Sequence, residues 1–418
     1  MLIKTLLNRI EKLKSFVYFN DTFEVVRGME AIVVWVDARS NSRPICSICG
    51  RRARVYDVLQ TRDYEYIPLW GFKVFFRYTP RRVQCRWDGV RIERVPWAQG
   101  KDHQTFALKV FLAKWARRIS WKEVAEIFQT SWDSVYRAVE YVVDFGLAHR
   151  DLDGITNIGI DELAIFRGHK YLTLVYQIDN HCKRLLWSGP DRKIKTLLRF
   201  FHEFGKERCR KLRFICSDMW KAYLRVVRKK APQALHVLDR FHIMKKFNEA
   251  IDQVRRQEVK ILKRNSQNNV LLGSRWILLK RKANLNENQV SRLAEILKSN
   301  LNSVRAYLLR EDFQRFWDYT SSTWALKFLI DWNARTMRSR IKPMKRVTKM
   351  LRAHQSLILN WFAANGKLSS GIVEGLNLKA KLTIRKAYGL RSVSNAQMAL
   401  YHTLGRLPEP SLRYHKFC

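Results

Sequence analysis

Acidic residues, glycine, proline and cysteine are all scarce in this chain of 418 residues. Only 17 Gly and 9 Pro stand beside 47% hydrophobic and 12% aromatic residues, which excludes a low-complexity or disordered polymer. Seven cysteines are too few for a disulfide scaffold. Their odd number, without a secretory signal, points to a reducing, cytoplasmic setting close to the nucleoid. No apolar run reaches the ~18 residues that cross a bilayer, so no membrane association is expected. The first fourteen residues are broken by Lys4, Arg9, Glu11, Lys12 and Lys14 and read as a short amphipathic helix rather than a signal. The segment from Met1 to Phe16 would either pair two chains or cover the domain that follows.

The shortage of acid is the strongest compositional signal. Against 37 Asp and Glu there are 79 Lys and Arg, a net charge of +42 spread along the whole chain. Such a charge repels itself in a compact fold unless a polyanion screens it. Nucleic acid is the expected partner, since each phosphate neutralised releases counterions. The length suggests two to four domains.

Residues 1–100 read as a β domain, with strands expected in Phe23–Asp37, Phe72–Arg77 and Arg81–Gln84. Cys46 and Cys49 form one knuckle and Cys85 and Asp88 a second, each followed by a glycine, Gly50 and Gly89. Two such knuckles separated by strands are the layout of a zinc ribbon, with Asp88 where Cys or His is usual and His103 as a spare ligand. The alternative is a set of thiols that bind nothing.

Residues 101–150 switch to helical periodicity, with Phe106, Val110, Phe111 and Trp115 on one face. Ser120 with Glu123 three residues on is a capping-box pattern, and Ser131 caps a second helix. Small Ala125 lets the two helices approach. This is a helix-turn-helix pattern whose second helix, beginning with Ser131, Trp132, Ser134 and Arg137, is expected to enter a DNA major groove. An ordinary helical hairpin is the alternative.

Residues 151–245 alternate strands and helices in the order β-β-β-α-β-α-β, with the first three strands a meander. The expected strands are Ile155–Ile165, Tyr171–Ile178, Arg184–Trp187, Lys211–Cys216 and Leu235–Leu238. Carboxylates lie on or just past three of them, at Asp161, Asp218 and Asp239. That order is the one of a ribonuclease-H-like fold. Residues 246–365 read as an all-helical insertion, with breaks at Gly273-Ser274, Asn284–Glu287 and Lys342-Pro343. Its Trp276, Trp317, Trp324 and Trp332 either pack a helical core or stack on a displaced base. Residues 366–418 would return to the core. The fold class is thus a multidomain α+β protein: a zinc-ribbon-like β domain, a helix-turn-helix, and a ribonuclease-H-like core interrupted by helices.

Two carboxylates close together repel unless a divalent cation neutralises them. Asp161 and Asp218 are placed for this, and Glu374 from a helix would complete a two-metal site for Mg²⁺. Glu374, Asn377 and Lys381 share one helix face. Each acid also has a plainer reading: Asp161 in a turn, with Glu162 facing inward instead; Asp218 capping the helix near Trp220; Glu374 favoured by a helix dipole.

The segments Ile158-Gly-Ile-Asp161-Glu, Cys216-Ser-Asp218-Met-Trp-Lys-Ala-Tyr223, Leu238-Asp239-Arg-Phe-His242 and Glu374-Gly-Leu-Asn377-x-Lys-x-Lys381 together resemble the DDE transposases of bacterial insertion sequences, most closely the ISL-three group. The likeness runs from Cys46 to Gly389-Leu-Arg391. It implies Asp161, Asp218 and Glu374 as a catalytic triad holding two Mg²⁺ ions, with Mn²⁺ able to substitute. Asp239, His242, Asn377 and Lys381 would support it. It implies DNA strand cleavage at terminal inverted repeats followed by attack of the freed 3′-hydroxyl on target DNA, carried out by an assembly of at least two chains. A non-catalytic DNA-binding regulator and a structure-specific nuclease of the same fold are the competing readings.

Overall fold

The computed structural model describes residues 3–166, 170–266, 269–364, 371–387, 390 and 392–410. They form two compact units, one of residues up to Asp151 together with those from Leu382 onward, the other Leu152–Lys381. Met1, Ser369, Ser370, Gly389 and Arg391, which the sequence motifs touch, lie outside the described residues.

In the first unit a short helix α1 (Ile3–Ile10) precedes strands β1 (Phe16–Val26), β2 (Met29–Ala38), β3 (Arg54–Val58), β4 (Arg62–Leu69), β5 (Phe72–Tyr78), β6 (Arg81–Cys85) and β7 (Gly89–Ile92). Four of them make a sheet in the order β1-β2-β5-β4, and β3-β6-β7 make a second. Trp97 anchors the core beneath the larger sheet, with the rings of Phe16, Tyr64, Phe76 and Tyr78 packed around it at centroid distances of 5.0 to 6.3 Å. Two expectations are corrected here. The helix stops at Ile10, because Leu13 and Phe16 are drawn into the sheet's core. The run Phe23–Asp37 is not one strand but the two arms of a hairpin, turning where Arg27 and Gly28 both take positive φ.

Three helices follow: α2 (Phe106–Arg118), α3 (Trp121–Ile127) and α4 (Trp132–His149). Ser120 accepts from the Glu123 amide while the Glu123 carboxylate accepts from the Ser120 amide, the reciprocal cap expected from the sequence. Ser131 caps α4 by accepting from the Ser134 amide at 3.1 Å.

The second unit is built on strands β8 (Asn157–Phe166), β9 (Lys170–Asp179), β10 (Cys182–Pro190), β11 (Phe214–Ser217) and β12 (Leu235–Leu238). Helices α5 (Ile194–Phe204) and α6 (Lys206–Lys211) lie between β10 and β11, and α7 (Lys221–Lys230) between β11 and β12. The sheet order is β10-β9-β8-β11-β12, with β8, β9 and β10 antiparallel and β11 parallel to both β8 and β12. Leu197, Phe200, Phe201, Tyr223 and Val226 of α5 and α7 pack with Ile158, Ile160 and Ile215 of the strands. Strand β11 begins at Phe214, not at Lys211 as expected: the charged run Lys206–Lys211 is helical and ends only at Leu212.

Seven helices come next, α8 (Arg240–Arg264), α9 (Arg275–Leu279), α10 (Glu287–Leu297), α11 (Asn302–Gln314), α12 (Ser322–Arg338), α13 (Lys342–Ala353) and α14 (Gln355–Ala363). They share a core around Phe247, Phe313, Phe316 and Trp332. Pro343 opens α13, where its missing amide hydrogen costs no helical bond. Helix α15 (Gly371–Lys386) then packs against β8, and α16 (Val393–Leu404) closes the order of elements.

Candidate functional site

The register of the second unit's sheet sets the site. Strand β11 pairs with β8 from Phe214 opposite Asn157 to Cys216 opposite Gly159, so Asp218 and Asp161 each lie two residues beyond the last pair. Strand β12 pairs with β11 up to Leu238 opposite Ser217, and the Asp239 amide then donates to the Ser217 carbonyl at 2.9 Å. Asp161, midway along β8, therefore stands level with Asp218 and Asp239, which lie just past the carboxyl ends of the neighbouring parallel strands β11 and β12, the ends at which open α/β sheets place ligands.

Each carboxylate is already engaged. Asp161 Oδ1 accepts from the Glu162 amide at 2.7 Å and its Oδ2 accepts from the Asn377 side-chain amide. Asn377 is in turn oriented by Tyr176, whose hydroxyl donates to Asn377 Oδ1 at 2.7 Å. Asp218 Oδ1 accepts from the Trp220 amide at 2.9 Å, so it does serve the turn into α7. Asp239 caps α8 by accepting from the Phe241 amide at 2.7 Å. His242, one turn into α8, has Nε2 at 3.9 Å from both Asp161 Oδ1 and Asp239 Oδ2. Burial works against the imidazolium, but Asp161, Asp239 and Asp218 outweigh it and hold the His242 pKa above its ordinary value.

Helix α15 is brought in by a close approach. A Cβ on Gly159 would meet Val373 Cγ2 at 2.5 Å, so only glycine at this strand position lets the helix sit so near. Glu374 follows Val373 directly and lies one turn before Asn377 on the same side of the helix. It is exposed and makes no hydrogen bond or ion pair to a described residue. Lys381, a further turn along, is exposed too. The structure thus joins Asp161 to Asn377, His242 and Asp239, and sets Asp218 level with them. It does not draw the three expected acids into one tight group: among the described residues the donors that gather within 4.8 Å are Cys46, Cys49, Cys85 and Asp88 alone.

Those four belong to the first unit. Cys85 ends β6 and Asp88 sits in the turn before β7, while Cys46 and Cys49 lie on the loop ahead of β3. Gly50 and Gly89 both take positive φ, 70° and 71°, as the tight knuckles require. Cys46 Sγ is 3.4 Å and Cys85 Sγ 3.2 Å from Asp88 Oδ2, and the sulfurs of Cys49 and Cys85 are 3.5 Å apart. Ligands on a tetrahedral zinc are about 3.8 Å apart, so the three sulfurs and one oxygen fit that ion. The backbone amide of Arg51 favours the Cys49 thiolate. Asp88, burial, Cys85 and Cys46 outweigh it and push the thiol up to about 12, a crowding of anionic donors that a cation relieves. His103 is not part of the group; it lies against Tyr64 and bonds the Asp63 carbonyl.

Residues 158–400 match a family model of ISL3-type DDE elements, described as a transposase. The chain belongs to the ISL3 family of insertion-sequence transposases. It is 28% identical over 350 residues to the transposase for insertion sequence element IS1001 of Bordetella parapertussis, covering 83% of this chain and 85% of that protein. It is 29% identical over 391 residues to the transposase for insertion sequence element IS1557 of Mycobacterium tuberculosis, covering 86% of each. Membership of a DDE family implies a divalent metal, and a transposase acts on DNA. No helix among the described residues is long and apolar enough to cross a membrane.

Other anticipated residues of the transposase divide. Trp317 and Trp332 are buried, the latter donating to the Leu309 carbonyl at 3.0 Å, whereas Trp276 and Trp324 are exposed with Arg275 and Lys327 over their rings. On α4, the hydroxyls of Ser131 and Ser134 bond each other, Trp132 stacks on Tyr136, and Arg137 is exposed. One residue beside the acids, Arg192, escaped the sequence reading. Arg192, in the link after β10, pairs with Glu162 at 2.6 Å and donates to Asp218 Oδ2 at 3.4 Å, its guanidinium over the Trp220 ring. Burial pushes Glu162 up to about 7, Arg192 opposes, and Asp218 and Asp161 add to the rise. Only the adjacency of Glu162 to Asp161 was a signal; Arg192 carried none among 79 cations.

Proposed function

We propose that the protein is a DNA transposase that binds the terminal inverted repeats of its element and carries out Mg²⁺-dependent strand cleavage and strand transfer, with Asp161, Asp218 and Glu374 as the metal-holding acids. The observation that carries this reading is the level placement of Asp161, within β8, beside Asp218 and Asp239 just past the ends of the parallel strands β11 and β12, with Asn377 of the Glu374 helix bonded to Asp161. The sheet order, three antiparallel strands continued by two parallel ones, supports a ribonuclease-H-like core. In that core α8 to α14 form the insertion between Asp218 and Glu374.

The donors suit a hard divalent ion, being carboxylate oxygens beside an amide, and a guanidinium already neutralises Asp218. Bound Mg²⁺ would activate water and stabilise the departing 3′-oxygen. The chain's own residues do the positioning. Tyr176 and Asn377 fix the orientation of Asp161, and His242, whose charged form the acids around it favour against its burial, faces the place a phosphate would take. Lys381 and Arg137 carry charge to the DNA backbone. Cys46, Cys49, Cys85 and Asp88 hold zinc and fix the β3-β6-β7 ribbon, and α3 with α4 reads the groove.

The test is Asp161→Asn in the full chain. The variant keeps its affinity for end-sequence DNA in a mobility-shift assay and loses Mg²⁺- or Mn²⁺-dependent nicking and joining. Undiminished cleavage refutes the assignment.

A further inference from the structure

Arg192 touches both an expected metal ligand, Asp218, and Glu162 on the adjoining strand. Its Nε pairs with Glu162 Oε1 at 2.6 Å and its terminal nitrogen donates to Asp218 Oδ2 at 3.4 Å. The other oxygen of Asp218 is held by the Trp220 amide at 2.9 Å, so both oxygens of this carboxylate are engaged. Successive side chains of a strand point to opposite faces. Asp161 is bonded to Asn377 of α15, and Glu162 is paired with Arg192, so the guanidinium draws Asp218 toward the Glu162 side and not toward Asp161. This accounts for a site whose acids stand level yet do not form a tight donor group.

The guanidinium is also placed to leave. Its side chain is 38% exposed, and it is held by two ion pairs and by one face resting on Trp220 at 4.8 Å rather than by burial. Arginine binds phosphate in the same two-pronged way as carboxylate. A divalent cation entering at Asp218 takes over the charge that Arg192 neutralises, and a DNA phosphate takes over the guanidinium.

We propose that Arg192 is a positioning latch that exchanges Asp218 for a DNA phosphate, so that divalent-metal binding at Asp218 depends on DNA. This rests on the metal-holding role given above to Asp161 and Asp218. Affinity is then coupled both ways: DNA tightens metal binding, and metal tightens DNA binding, by one common factor.

The experiment titrates Mn²⁺ into the full-length protein by calorimetry, with and without a duplex. An Asp161→Asn, Asp218→Asn double variant supplies the background to subtract. Without DNA, Arg192→Gln binds Mn²⁺ about five- to tenfold tighter than the natural chain, the size of losing one half-buried ion pair. Arg192→Lys keeps the charge but cannot span two carboxylates, and it tightens binding by a smaller factor. Adding duplex raises Mn²⁺ affinity in the natural chain and leaves Arg192→Gln nearly unchanged. Equal Mn²⁺ affinity in the natural and Gln chains without DNA overturns the latch. So does a tightening seen with Gln but absent with Lys, which would mark a simple field effect. An equal DNA-driven gain in both overturns the phosphate exchange. A double variant that binds Mn²⁺ like the natural chain removes the metal-site reading itself, a result separable from the others. Far-UV circular dichroism on each variant establishes its fold, and the Lys variant decides if the Gln variant does not fold.

Discussion

The side chain of Asn377 donates to Asp161 across 216 positions of sequence, and Tyr176 fixes the direction of that bond by occupying the amide oxygen. Removing the Tyr176 hydroxyl frees the amide to rotate and strands a buried oxygen. Tyr176→Phe is expected to cost about 1–3 kcal/mol of stability. Loss of a group that orients a metal ligand slows cleavage by roughly 10- to 100-fold. Urea unfolding and nicking of end DNA measure the two effects, and unchanged nicking would show that Asp161 needs no such orientation.

Gly159 permits α15 to reach the sheet. Gly159→Val drives two methyl groups into Val373, and overpacking of this kind costs about 1–3 kcal/mol. The displaced helix carries Glu374 and Asn377, so cleavage should fall further than stability does. Gly159→Ala combined with Val373→Ala should recover part of both. If the double change is no better than Gly159→Ala alone, the contact does not set the spacing.

Zinc at the four-donor group gives a stoichiometric prediction. The purified chain should carry one zinc, and a strong chelator should release it with loss of thermal stability. Asp88→Cys converts the site to four sulfurs and should hold zinc against a chelator that strips the natural chain. Metal content by plasma emission after dialysis checks this; a chain with no zinc, and no gain in the Cys variant, defeats the assignment.

Two buried histidines make stability depend on pH. Burial lowers His236, bonded to Ser217, to about 4, and burial with Arg117 and Lys386 nearby lowers His402 to about 3. Both ring nitrogens of His402 lack a hydrogen-bond partner among the described residues. Unfolded histidine titrates near 6.5, so between that value and the folded value the unfolded chain binds more protons and stability rises with pH. On going from pH 7 to pH 5 each histidine should withdraw about 2 kcal/mol from its unit. His402→Gln should flatten the dependence in urea melts; a natural chain equally stable at both pH values contradicts the burial of these rings.

The second unit's strands were legible because each apolar run stops at a polar or acidic residue, as at Ser217-Asp218 and Leu238-Asp239. Glu123 and Ser131 gave away the helix ends, since caps are local chemistry. What escaped depended on distance in sequence. The Phe23–Asp37 run looked continuous because Arg27, an unusual residue for positive φ, makes half of its turn. Helix α6 was missed because Lys206–Lys211 is too short and too charged to show a periodicity. Arg192 finds Glu162 and Asp218 only once β8, β10 and β11 have been assembled, and nothing in its own neighbourhood distinguishes it.

The acids level on β8, β11 and β12 are followed by seven helices before α15 brings in Glu374, 135 positions after Asp239. A chain leaving the ribosome therefore carries Cys46, Cys49, Cys85 and Asp88 and the segments of α3 and α4 long before Glu374 and Asn377 are synthesised. The first unit too is completed only by the residues from Leu382 onward, so both units of the molecule wait for the last stretch of the chain.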